Sequence, residues 1–197
     1  MTSTTSIKIA IFASGAGSNA EKIIEHFQNS SIAHVKLILC NKENAGVLNI
    51  AKKNNIKSVL IDKTAFFHSD KYVTFLSNEQ IDLIILAGFL WKIPANLIGA
   101  FAERIINIHP ALLPKYGGKG MYGHFVHEAV IAAHEEKSGI TIHLVDELYD
   151  HGKHLLQAEC TLQSDETPET LAKKIHELEH KYFPKAIEDF ITQSIMA

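Results

Sequence analysis

The sequence is poor in arginine and has no basic block. Among its 197 residues Arg104 is the one arginine, against 18 lysines, and the net charge is −3. Nucleic acid is therefore disfavoured as a partner, because its phosphate backbone is bound by clustered positive charge. A phosphate site in this chain would have to use backbone N–H groups, helix N-termini or lysine in place of a bidentate arginine.

Cysteines and long apolar runs are also scarce. Cys40 and Cys160 lack C-x-x-C spacing, which is typical of reduced thiols in a cytoplasmic protein. The N-terminal MTSTTSIK has no basic stretch followed by a long apolar run, so no signal peptide is predicted. The longest apolar run, at 83–90, is about half of what a transmembrane helix needs. We therefore expect a cytoplasmic protein without a membrane partner.

Short apolar runs alternate with segments of helical periodicity. Runs that are apolar on both faces and alternate with helices indicate a parallel sheet covered on both sides. Two adjacent strands near the C-terminus predict an antiparallel pair, and a long helix begins near Pro168, with Thr167 as its cap and an interruption at Pro184. The sequence therefore predicts one α/β domain over residues 1–197, a Rossmann-like open and mostly parallel twisted sheet with helices on both faces. Strands are predicted at 7–14, 35–40, 58–61, 83–87, 105–108, 140–145 and 155–162, and shorter helices at 19–27, 47–54, 71–78 and 127–135.

A turn of small residues, SGAGSNA at 14–20, lies between the first predicted strand and the first predicted helix. Such a turn lets backbone N–H groups approach a phosphate at the N-terminus of the helix. It also fits the dinucleotide pattern G-x-G-x-x-[G/A], which requires an acidic residue about 20 positions later. The second strand ends Cys40-Asn41-Lys42, without a carboxylate. A phosphate or phosphosugar site is therefore favoured over an NAD site, and a turn without a ligand remains the third alternative.

The pattern H-E-x-x-H, typical of helical zinc proteases, occurs at 176–180. The chain has 12 histidines and 15 glutamates, so the pattern arises readily by chance, and no third ligand follows at a metzincin spacing. The residues instead favour a helix that carries Glu179 toward a pocket. No metal is predicted.

Asn107 and His109 lie at the carboxyl end of the fifth predicted strand, where open α/β sheets bind ligands. Residues two apart on a strand leave it on the same face. An amide and an imidazole side by side can form an oxyanion site or an acid–base pair. Asp150, between the last two strands, could hold the imidazole and raise its pKa.

Four stretches carry a family resemblance: IFASGAGSN at 11–19, LAGFL at 86–90, NIHPALLPKYGG at 107–118 and SGITIHLVDELYDHG at 138–152. Over about residues 7–190 the chain resembles the phosphoribosylglycinamide formyltransferases of the formyltetrahydrofolate-dependent superfamily. The resemblance implies formyl transfer from the co-substrate 10-formyltetrahydrofolate to glycinamide ribonucleotide (GAR), a step of purine biosynthesis. It also implies that the partners are small-molecule substrates and that the protein is a monomer or a homodimer. A formyltetrahydrofolate hydrolase of the same superfamily and a nucleotide-binding module are the alternatives.

The resemblance also implies roles for individual residues. Asn107, His109 and Asp150 would be the catalytic trio. Neither NAD nor a metal is implied as a cofactor. The phosphoribosyl part of GAR would be bound by Gly17, Ser18, Asn19 and Glu179.

For the folate, the resemblance points to the segment after the fourth strand and to the loop that ends at Asp150. The residues implied for folate binding are Leu90, Trp91, Lys92, Ile93, Asn107, Asp146, Glu147, Leu148, Tyr149 and Asp150.

Lys119, in the glycine-rich stretch 117–123, is a further candidate for contact with the phosphate of GAR.

Overall fold

The computed structural model describes residues 6–195, and strands and helices alternate along them. None of the helices in this range is both long and apolar enough to cross a membrane. The strands are β1 (Ile7–Ala13), β2 (Ala33–Cys40), β3 (Lys57–Leu60), β4 (Leu83–Leu86), β5 (Ile105–His109), β6 (Lys137–Leu144) and β7 (His154–Thr161). The helices are α1 (Ser18–Phe27), α2 (Gly46–Lys53), α3 (Lys63–His68), α4 (Lys71–Asn78), α5 (Ala95–Ala100), α6 (His124–Ala132) and α7 (Pro168–Phe190), with a π-helical turn at Ile191–Ile195.

All seven strands form one sheet in the order β3-β2-β1-β4-β5-β6-β7. The pairs from β3 to β5 are parallel, whereas β5–β6 and β6–β7 are antiparallel. The predicted fold class, a mostly parallel open sheet with an antiparallel C-terminal pair, is confirmed.

The central strands are apolar on both faces because helices cover both sides of the sheet. On β1, Ile9 and Ile11 pack into a core shared with α1, α2, α6 and α7. Ala10 and Phe12 point the other way, into a core shared with α3, α4 and α5. The parallel strands therefore end together at one edge of a sheet that is buried on both sides.

The structure departs from the sequence prediction at several helices. The short helices α3 and α5 were not predicted, and α6 begins at His124 instead of residue 127. Thr167 caps α7 as predicted, since its side chain accepts a hydrogen bond from the Thr170 N–H. The predicted interruption at Pro184 is wrong, because α7 continues through it to Phe190. Burial of the neighbouring Phe183 outweighs the local cost of a proline inside a helix.

Candidate active site

A cleft of about 600 Å³ opens at the carboxyl ends of β1, β4 and β5. This edge is where open α/β sheets bind ligands. Asn107, His109 and Asp150 all line the cleft, together with the β1–α1 turn and the segment after β4. Glu147, which the family resemblance also places in the site, is exposed and does not line the cleft.

Asn107 is held by a histidine that the sequence analysis missed. In the β5–β6 register it lies opposite His143, and its Nδ2 is 3.1 Å from His143 Nε2. The other ring nitrogen, Nδ1, donates to the Leu144 carbonyl over 2.8 Å. A neutral His143 therefore presents Nε2 as an acceptor, and the amide of Asn107 donates to it. The antiparallel register that creates this pair has no local sequence signal.

His109 and Asp150 come together as expected, but without a direct hydrogen bond. His109 Nδ1 lies 3.6 Å from Asp150 Oδ2. His109 Nε2 lies 2.7 Å from the carbonyl oxygen of Tyr116, which can only accept, so Nε2 carries the proton. Asp150 Oδ2 accepts from the Gly118 N–H over 2.9 Å.

Burial decides the charge of the two histidines. It lowers the pKa of His109 below the usual 6.5, and this effect outweighs the Asp150 carboxylate and the Tyr116 carbonyl, which raise it. Asp150 thus raises the pKa of His109, as expected, but burial, which the sequence did not reveal, lowers it by more. Burial lowers the pKa of His143 as well. Both rings are therefore neutral at pH 7.

The β1–α1 turn requires a glycine at position 17. Gly17 has φ +88°, in the left-handed region, and a Cβ there would lie 2.8 Å from Val47 Cα. α1 begins at the next residue, Ser18, so the unpaired N–H groups of its first turn are at the cleft. Such groups bind anions without any cationic side chain.

Next to this turn lies a pair of buried polar side chains. Asn19 Nδ2 donates to Glu179 Oε2 over 2.8 Å. Burial raises the pKa of Glu179, and this effect outweighs those of Asn19 and His176, which lower it. Within residues 6–195, the buried Asn19 Oδ1 has no hydrogen-bond partner. Asn19 and Glu179 thus offer acceptor oxygens that suit the hydroxyl groups of a sugar.

His127 is a second histidine that the sequence analysis did not assign to the site. It lines the cleft from α6 and is 5% exposed. Burial is the main cause that lowers its pKa to about 4, and the nearby histidines lower it further. Its position in the helix shows no pattern that distinguishes it from a buried core histidine.

Apolar side chains from the segment after β4 and from the β6–β7 loop form one wall of the cleft. Leu90 and Leu148 are 46% and 61% exposed, unusual for leucine, and both line the cleft. Trp91 packs against the aromatic rings of α3, while the ammonium group of Lys92 lies 5.1 Å from the ring centre of Tyr149. Such a wall suits a flat, partly apolar ligand.

Both sides of this wall are tied down by hydrogen bonds. Ser14 Oγ accepts from the Leu90 N–H over 3.0 Å, which joins the end of β1 to the segment after β4. In the loop before Asp150, Asp146 accepts from the Leu148 N–H and from His151 Nδ1, each over 2.9 Å. The predicted folate segments are thus positioned by contacts within the chain.

The H-E-x-x-H segment belongs to α7 and reaches the cleft through His176 and Glu179. Glu179 is bonded to Asn19, and the rings of His176 and His180 are nearly parallel, with centres 6.2 Å apart. Within residues 6–195, no group of three or more histidine, cysteine or acidic side chains is arranged to hold a metal ion.

Residues 7–187 match the protein family described as "Formyl transferase". The chloroplastic phosphoribosylglycinamide formyltransferase of Arabidopsis thaliana is 41% identical over 186 residues, covering 91% of this chain and 64% of that protein. The Bacillus subtilis phosphoribosylglycinamide formyltransferase is 33% identical, covering 93% and 94% respectively. The chain thus spans slightly less than two thirds of the plant relative and nearly all of the bacterial one.

Solved structures agree with these matches. The phosphoribosylglycinamide formyltransferase of Anaplasma phagocytophilum superposes with a TM-score of 0.86 at 28% identity, covering 95% of this chain and 88% of that one. For the enzyme of the same name from Bacillus halodurans the TM-score is 0.84 at 34% identity, with coverage of 95% and 96%. The family match over most of the chain, together with these similar structures, establishes that the chain belongs to the formyl transferase family.

Proposed function

We propose that this chain transfers the formyl group of 10-formyltetrahydrofolate to the amine of GAR, giving formyl-GAR and tetrahydrofolate, in purine biosynthesis. One observation carries the proposal: a single cleft joins Asn107, His109 and Asp150 to the N-terminus of α1 and to an apolar wall. The names of the relatives from Arabidopsis thaliana and Bacillus subtilis support it. A location in the cytoplasm and a monomeric or homodimeric state remain predictions.

The reaction needs one new C–N bond, one broken C–N bond and one proton transfer. The free amine of GAR attacks the formyl carbon, and the formyl oxygen becomes an oxyanion. The nitrogen that attacks must lose a proton, and the leaving nitrogen N10 of the folate must gain one. A group that can accept and then return a proton therefore serves both halves of the reaction.

Asn107 and His109 suit these tasks. One N–H of the Asn107 amide is committed to His143, so the second can donate to the oxyanion. His109 is neutral at pH 7, with its unprotonated Nδ1 beside Asp150, so it can take up the proton of the amine. The imidazolium formed in this way is stabilised by the Asp150 carboxylate and can protonate N10.

The two substrates would occupy different walls of the cleft. The phosphate and ribose of GAR would bind at Gly17, Ser18, Asn19 and Glu179, where backbone N–H donors lie beside the Asn19 amide and the Glu179 carboxyl group. The folate would lie between the Leu90–Ile93 segment and the loop that ends at Asp150. None of these roles requires a metal ion or NAD.

Incubation of the purified chain with 10-formyltetrahydrofolate, with and without GAR, tests the proposal by the absorbance change on deformylation of the folate. We expect turnover that requires GAR, and formyl-GAR as the product. Release of formate without GAR would instead support a hydrolase. No turnover under either condition would contradict both activities.

A further inference from the structure

One short backbone segment contacts both His109 and Asp150. The Tyr116 carbonyl accepts from His109 Nε2 over 2.7 Å, and the Gly118 N–H donates to Asp150 Oδ2 over 2.9 Å. Gly117, between them, packs closely, since a Cβ there would lie 2.6 Å from Leu113 Cδ2 and 3.2 Å from Asp150 Cβ. The segment thus bridges the histidine and the carboxylate through two backbone hydrogen bonds.

The side chains of this segment are anchored outside the cleft. The Tyr116 hydroxyl donates to Glu135 Oε1 over 2.8 Å, and the Lys115 ammonium donates to the same oxygen over 2.8 Å. Glu135 follows α6 and does not line the cleft. Tyr116 itself has φ +57°, a left-handed conformation that is unfavourable for a residue with a side chain and needs support from its surroundings.

Both partners of this contact have the charge that it requires at neutral pH. Lys115 and Tyr116 lower the pKa of Glu135, so its carboxyl group is ionised. Burial and the neighbouring Glu135 raise the pKa of Tyr116, so its hydroxyl keeps its hydrogen. A hydrogen bond from a neutral hydroxyl to a carboxylate is stronger than one between two neutral groups.

We propose that Tyr116 and Glu135 are positioning residues that fix which ring nitrogen of His109 carries the proton. Anchored by Glu135, the Tyr116 carbonyl keeps the hydrogen on Nε2 and leaves Nδ1 as the free base 3.6 Å from Asp150. If the anchor is lost, the segment can move, and His109 exchanges between its two tautomers. The importance of this effect for turnover rests on the proposed function, but the tautomer itself does not.

Three variants separate this role from a merely structural one. Tyr116→Phe removes only the hydroxyl group, and Glu135→Ala removes its acceptor. Glu135→Gln keeps a neutral oxygen that can still accept from Tyr116, so its effects should be smaller than those of Glu135→Ala. Glu159→Ala is the matched control, because it removes an exposed carboxylate that is paired with Lys137 over 2.9 Å and lies on β7.

The readouts are the 15N shifts of the His109 ring at a pH where it is neutral, assigned by their loss in His109→Gln, and steady-state kinetics. In the wild type and in Glu159→Ala we expect a protonated Nε2 and an unprotonated Nδ1. In Tyr116→Phe and Glu135→Ala we expect averaged shifts and a kcat lower by about three- to tenfold. The KM values for both substrates should stay within about twofold, because neither side chain lines the binding walls.

Combining Tyr116→Phe with Glu135→Ala should cost no more kcat than either change alone, because both break the same contact. Wild-type tautomer shifts and kcat in folded Tyr116→Phe and Glu135→Ala would overturn the inference, as would an equal loss of kcat in Glu159→Ala. Should the wild type fail to transfer formyl groups at all, the proposed function would fall. The tautomer shifts would still decide whether Tyr116 and Glu135 orient His109.

Discussion

Asn107 and His143 face each other across the antiparallel pair β5–β6, and the amide nitrogen of one lies 3.1 Å from the ring nitrogen of the other. Because His143 donates through Nδ1 to the Leu144 carbonyl, its Nε2 is an acceptor, and the amide of Asn107 has one possible orientation. The donor proposed for the oxyanion is therefore oriented before any substrate binds. Such preorganisation is the main source of electrostatic stabilisation in active sites.

Replacing Asn107 by alanine should lower kcat by at least about 100-fold, because the oxyanion loses a preorganised donor. His109→Ala should cause a loss of similar size. The assay is GAR-dependent deformylation of the folate. Asn96→Ala is the control, since Asn96 lies on α5 and its amide donates to Asp70. Near-normal kcat in both Asn107→Ala and His109→Ala would contradict the assignment.

Asp150→Asn should lower the pKa of His109 further. Burial already holds this pKa below 6.5, and the Asp150 carboxylate is the largest of the effects that oppose the decrease. Without that charge, protonation of the ring requires a lower pH. An NMR titration of His109 in both proteins measures the difference. Identical titration curves would show that the carboxylate 3.6 Å away does not act on the ring.

The buried His127 should make the fold sensitive to acid. Its pKa is about 4 in the folded protein and about 6.5 when unfolded, so the unfolded chain binds more protons between these values. Stability is therefore lost as the pH falls from about 6.5 toward 4. His127→Gln should lose less free energy of unfolding between pH 7 and pH 5 than the wild type does, as measured by urea denaturation. The exposed His68→Gln is the control, and an equal loss in wild type and His127→Gln would refute this role.

Gly17→Ala should weaken both the fold and GAR binding. The left-handed φ and the 2.8 Å approach to Val47 both oppose a Cβ. We therefore expect the free energy of unfolding to fall by about 1–3 kcal/mol. Any movement of the turn also displaces the N–H groups of α1, so the KM for GAR should rise. Gly99→Ala in α5 is the control, because its Cβ position meets no other part of the fold and alanine favours a helix. Equal stability of the two variants would contradict the steric argument.

Lys119 lines the cleft from an exposed position in the glycine-rich stretch. If it contacts the phosphate of GAR, Lys119→Ala should raise the KM for GAR by about tenfold, as expected for the loss of one charge-assisted hydrogen bond. The KM for the folate should not change. Lys137→Ala, on the exposed start of β6, controls for the loss of one positive charge. An unchanged KM for GAR would remove Lys119 from the phosphate site.

Local sequence patterns correctly predicted features that depend on one short segment. Apolar runs on both faces predicted the central strands, and period 2 along β5 placed Asn107 and His109 on one face of the cleft. The same approach failed at Pro184, because the packing of α7 against the sheet outweighs a local helix-breaking tendency. It also missed the six-residue helices α3 and α5, which are too short to show a clear period.

The sequence by itself determined the fold class, the glycine-containing turn between β1 and α1 and the position of Asn107 and His109 at the end of β5, since each depends on local spacing or on a motif. Tertiary structure alone decided which groups meet: His143 with Asn107 through the strand register, Glu179 with Asn19 across the chain, and the neutral state of His109 through burial. The physical reason is that hydrogen bonds and desolvation depend on distances between segments far apart in sequence. Those distances are set when the whole sheet and its helices pack.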